Sequence, residues 1–117
     1  MLIEKIEHCD AAIFQVKGRL DSSSTPELEK CIQDSLDQGS KILILDFSDL
    51  EYINSAGLRI LVMSYQRLQP LGGQVMVCGV RDYIAEIFDI SGYNRIFRMC
   101  ANLDLAVRTF GTTSNGQ

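Results

Sequence analysis

Between Lys41 and Leu61 the chain reads KILILDFSDLEYINSAGLRIL, and this succession constrains the fold more than any other stretch. Ile42, Leu43, Ile44 and Leu45 form a continuous apolar run, too short for a helix and suited to a strand covered on both faces. Asp46, Ser48 and Asp49 supply turn chemistry. Asn54-Ser55-Ala56-Gly57-Leu58 then opens a segment with apolar residues at Leu58, Leu61, Val62, Tyr65 and Leu68, the spacing of one helical face. A buried strand, a turn and an amphipathic helix in that order belong to an α/β protein. Ser55 falls at the mouth of the helix, among unpaired backbone N–H groups and the positive end of the dipole, a place that tolerates a phosphate. The same residues also suit a plain helix cap, because Asn and Ser oxygens accept from N–H groups two or three positions on.

The flanking sequence extends the pattern. Leu2–Glu7 and Ala12–Lys17 read as paired strands about a polar turn at His8-Cys9-Asp10. Ser24-Thr25-Pro26-Glu27 starts a helix, with a capping box available between Ser24 or Thr25 and Glu27. Leu28, Cys31, Ile32, Ser35 and Leu36 form its inner face, and Gly39 ends it. After the strand Ile42–Phe47, the serine-headed helix runs to about Gln69, where Pro70 and Gly72-Gly73 stop it. A strand over Gln74–Val80 leads to a helix with Tyr83, Ile84, Ile87 and Phe88 on one face and Gly92 at its end. Ile96–Met99 suits an edge strand, and Leu103, Ala106, Val107 and Phe110 mark a last short helix before a polar tail, Thr112–Gln117.

Bulk properties narrow the function. A length of 117 residues with a 46% apolar fraction makes one globular domain with a real core. Net charge is −4 and no basic run occurs, which argues against a nucleic-acid partner. No stretch approaches a membrane span, and the charged N-terminal residues Glu4, Lys5 and Glu7 match no secretory segment, so a cytoplasmic location is expected. Cys9, Cys31, Cys78 and Cys100 are dispersed without a C-x-x-C pair; they fit a reducing compartment and no metal site. Cys31 and Cys78 fall on core-facing positions. His8 has no nucleophile motif beside it, and Gly72-Gly73 is a turn without a phosphate-cradling pattern, so neither catalysis nor a cofactor is expected. Asp46, Asp49 and Glu51 read as turn formers and solvated charge.

Three segments in order resemble one family. Strand, acidic turn and Asn54-Ser55-Ala56-Gly57-Leu58 resemble the signature of STAS domains of the bacterial anti-sigma factor antagonist type, usually Asp-Ser-Ser/Thr-Gly-Leu. Gly18-Arg19-Leu20-Asp21 resembles the Gly-x-Leu-Asp closing the family's second strand, and Leu71-Gly72-Gly73 before Val75-Met76-Val77-Cys78 resembles its entry into the last central strand. The likeness spans residues 1–111 and implies one domain with a mixed sheet of four or five strands covered by about four helices. It also implies a switch. The serine matched by Ser55 is phosphorylated by an anti-sigma serine kinase of the GHKL type, and a PP2C-like phosphatase reverses this. The unphosphorylated form binds the kinase and frees a sigma factor. Two positions depart from the motif: Asn54 keeps capping geometry without the usual negative charge, and Ala56 leaves Ser55 the sole hydroxyl in the motif.

The resemblance also distributes supporting roles, with alternatives. Asp21 either holds the Ser55 hydroxyl in one rotamer or caps the Ser22–Thr25 turn. Asn54 shares the cap. Gly57 either leaves room for a partner or permits close helix–sheet packing, and Leu58 serves an interface or the core. Ile60 and Met63 lie off the main apolar stripe, consistent with a fully buried helix or with an exposed docking strip. A different reading is a STAS scaffold subunit of a transporter or sensory assembly that never meets a kinase.

Overall fold

The computed structural model describes residues 2–8 and 11–108. β1 (Leu2–His8) and β2 (Ala11–Leu20) pair antiparallel, with Ile3 beside Val16 and Ile6 beside Ile13. His8, expected in a turn, is thus the last residue of a strand; Cys9, Asp10, Phe110 and the expected tail lie outside the described residues. α1 (Thr25–Asp37) leads into β3 (Ile42–Asp46), and β4 (Leu50–Ile53) precedes α2 (Ser55–Leu68). A 3-10 turn over Gln69–Leu71 separates α2 from β5 (Gln74–Cys78). α3 (Asp82–Ser91), a second 3-10 turn and β6 (Arg98–Cys100) follow, and residues 103–108 are helical.

The sheet order is β1-β2-β3-β5-β6, parallel from β2 onward, with β4 added beside the far end of β2. β4 is the element that the turn chemistry of Asp46, Ser48 and Asp49 concealed. Gly18 donates its N–H to the carbonyl of Asp49, and beyond it Arg19 pairs with Tyr52 and Leu20 with Ile53. This pairing explains why β2 runs past the expected Lys17 to Leu20.

Strand parity divides the core. Ala12, Phe14, Val16 and Leu20 of β2 join Leu43, Leu45, Val75 and Val77 under α1, α2 and α3. Ala11, Ile13, Ile44, Met76 and Cys78 face the other way, against Ala106 of the last helical segment. β3 and β5 are therefore covered on both faces, which is why both read as continuous apolar runs. Cys78 is fully buried as expected, whereas Cys31 is half-buried against the core edge.

The start of α1 departs from expectation. Pro26 occupies its first turn, but no capping box forms, because the Ser24 hydroxyl donates to the Arg19 carbonyl at 2.8 Å. Ser35, on the inner face, buries its hydroxyl without a hydrogen-bond partner among the described residues. Arg67 ties α2 to α1 through Gln33 and, at 2.5 Å, Asp37. No described helix is long and apolar enough to cross a membrane.

Candidate functional site

Ser55 is positioned by the elements on either side of it. At the end of β3, Asp46 is almost buried; one carboxylate oxygen accepts from the N–H and hydroxyl of Ser48 and the other from Gln15 at 3.2 Å. It is therefore a bonded turn anchor, not a solvated charge. Asp49 remains exposed, 3.9 Å from Lys17. From this turn β4 runs parallel to β2, and the Asn54 N–H donates to the Leu20 carbonyl at 3.2 Å. The motif at residues 18–21 and the motif at residues 54–58 are brought together by this ladder.

Asn54 is the cap of α2. Its backbone is extended, and its side-chain oxygen accepts from the N–H groups of Ala56 at 3.0 Å and Gly57 at 3.3 Å. The Leu58 N–H donates to the Asn54 carbonyl at 3.0 Å. Of the two readings of these residues, the plain cap is the one that forms at Asn54, and two donors near Ser55 are already engaged. Ser55, the first residue of α2, is exposed, and its hydroxyl makes no hydrogen bond among the described residues.

Gly57 is buried against the sheet. A Cβ there would lie 2.8 Å from Ile53 Cγ1 and 3.0 Å from Leu20 Cγ, so the glycine serves close packing of helix on sheet. Leu58 is half-buried and packs on the core with Val62 and Tyr65. Ile60 is buried as well, while Met63 stays exposed at the rim between α2 and α1. The first half of α2 therefore buries a wide apolar arc rather than one narrow stripe.

Asp21 takes the turn-capping role. Its Oδ1 accepts from the Ser23 N–H at 3.1 Å and the Ser23 hydroxyl at 2.8 Å. These bonds hold its carboxyl below the ordinary carboxylate range. Among the described residues no hydrogen bond joins Asp21 to Ser55. Two residues to which sequence reasoning gave no role complete the surroundings. The Arg19 guanidinium lies 4.2 Å from the centre of the Tyr52 ring, and its Nε is 3.8 Å from Asp21 Oδ2. Arg19, Asp21, Ser22, Ser23, Tyr52 and Asn54 line one shallow depression beside Ser55 in the chain. The only signal for this pair was the open position of the Gly-x-Leu-Asp motif, and it becomes informative once β4 is known to pair with β2. No group of three or more His, Cys, Asp or Glu side chains among the described residues is placed to hold a metal ion.

The family model described as STAS domain matches residues 2–106. The chain is 30% identical over 112 residues to BtrV of Bordetella bronchiseptica, described as an anti-sigma factor antagonist, covering 96% of this chain and 95% of the relative. The crystal structure of an anti-sigma factor antagonist from Mycobacterium paratuberculosis superposes with a TM-score of 0.84 at 24% identity, covering 92% of each chain. The phosphorylated form of the Bacillus cell fate determinant SpoIIAA superposes with a TM-score of 0.77 at 17% identity, covering 93% of this chain and 99% of the other. At these identities the two structures speak for the fold.

Proposed function

The chain belongs to the STAS domain family as an anti-sigma factor antagonist, a class of non-catalytic regulators, and from that premise we propose a partner switch controlled at Ser55. Unphosphorylated, the domain binds an anti-sigma serine kinase of the GHKL type in the cytoplasm and so releases a sigma factor. Phosphorylation at Ser55 ends that complex, and a PP2C-like phosphatase restores it.

One observation carries this reading. The Asn54 side chain caps the N–H groups of Ala56 and Gly57, and the exposed Ser55 hydroxyl makes no hydrogen bond among the described residues. In the transfer, Ser55 Oγ attacks the γ-phosphorus of ATP and forms the new P–O bond. The bond to the bridging oxygen breaks, ADP leaves, and the hydroxyl proton passes to a base on the kinase. The modification adds about −1.5 to −2 charge units at the positive end of a helix, where the fold tolerates them. At an interface the same charge meets desolvation and acidic partner groups. A loss of about 3 kcal/mol there weakens binding by roughly two orders of magnitude, enough to switch a complex off.

The test is transfer of labelled γ-phosphate from ATP by the serine kinase of the native host. Wild type is expected to take up the label and Ser55→Ala to take up none. Equal labelling of both chains would overturn the assignment.

A further inference from the structure

A phosphate on Ser55 arrives at a helix terminus whose nearest engaged donors, the N–H groups of Ala56 and Gly57, already serve Asn54. Beyond the helix dipole and solvent, the added charge can then be met by cationic side chains within reach. On a helix, residues at i and i+4 are neighbours, and long side chains lean toward the N-terminus. Arg59 stands at i+4 from Ser55; both are exposed, and the Arg59 guanidinium makes no hydrogen bond or ion pair among the described residues. Arg19 is differently placed: it is stacked on Tyr52 and shared with Asp21. Asn54 contributes by omission, since the usual Asp of the motif would set a carboxylate against the phosphate.

We infer that Arg59 receives the Ser55 phosphate in an ion pair across the first turn of α2. The inference rests on Ser55 as the acceptor, proposed above. A guanidinium meets phosphate oxygens with parallel N–H donors, a geometry stronger than a simple charge contact. The switch then acts twice: phosphorylation adds negative charge and withdraws Arg59 from the surface offered to a partner. Arg59 also lines a depression with Thr25, Glu29, Ala56, Ile60 and Met63 between α1 and α2.

The experiment installs phosphoserine at position 55 during translation, so that no kinase is needed. The phosphate is titrated by 31P NMR at low salt through its second ionisation, near about pH 6. Arg59→Gln is expected to move the midpoint up by about half a pH unit, because it removes a cation that favours the dianion. Arg59→Lys recovers part of the wild-type midpoint, and Arg19→Gln leaves it in place. A midpoint indifferent to Arg59→Gln, or displaced equally by Arg19→Gln, would overturn the inference. Unchanged thermal unfolding of unphosphorylated Arg59→Gln separates the effect from a folding defect. Absence of phosphate in the native host would instead count against the proposed function alone.

Discussion

Asn54 caps α2 and leaves the hydroxyl of its neighbour Ser55 without a hydrogen-bond partner among the described residues. The two adjacent polar residues therefore divide structure and modification between them, and stability measurements can tell them apart.

Asn54→Ala removes the acceptor for two backbone N–H groups and is expected to cost about 1 kcal/mol. Ser55→Ala removes no bond and is expected to stay within about 0.5 kcal/mol of wild type. Urea unfolding of the two variants gives both numbers. Asn54→Asp keeps the cap and, with its charge at the helix N-terminus, is expected at least to match wild type.

Gly57→Ala inserts a methyl group where Ile53 Cγ1 would be 2.8 Å away and Leu20 Cγ 3.0 Å away. Moving α2 off the β2–β4 ladder is expected to cost about 1–3 kcal/mol, read as a lower urea midpoint. A partner-clearance role alone would leave the midpoint unchanged.

Ser35 buries a hydroxyl on the inner face of α1 with no hydrogen-bond partner among the described residues. Ser35→Ala removes that unsatisfied group and is expected to stabilise the domain by about 1 kcal/mol, visible as a higher thermal midpoint.

Burial pushes the Cys78 thiol up to about 12, and the Asp46 carboxylate and Cys100 push it the same way. An unfolded thiol ionises near about pH 8.5, so the unfolded state gains thiolate first as pH rises. The stability from this group is complete below that value and is lost between the unfolded and folded pKa. In the native protein at mildly alkaline pH, an alkylating reagent is expected to spare Cys78 while modifying the half-buried Cys31 and Cys100; peptide mass mapping reads the difference.

Residue chemistry alone makes much of this fold legible. Ile42–Leu45 and Val75–Cys78 had to be central strands because they are apolar on both faces, and they occupy the middle of the sheet. The cap at Asn54 followed from its side chain and the helix pattern behind it. β4 was not legible, because Leu50-Glu51-Tyr52-Ile53 is buried only at its ends and shows no alternation. Its partner is the tail of β2 beyond a register shift at Gly18, a pairing that local sequence does not encode. The same non-local ladder hid the stacking of Arg19 on Tyr52. Asp21 had two open roles, and the neighbouring Ser23 hydroxyl and N–H decided between them.

The most direct measurement is intact-mass analysis with site mapping of the chain purified from its native host under phosphatase inhibition, beside a Ser55→Ala control. The expected result is a species carrying one phosphate, confined to Ser55, that is absent from the control. A chain that stays unmodified through growth and stress while co-purifying with one fixed partner would contradict the switch and leave a STAS scaffold in its place.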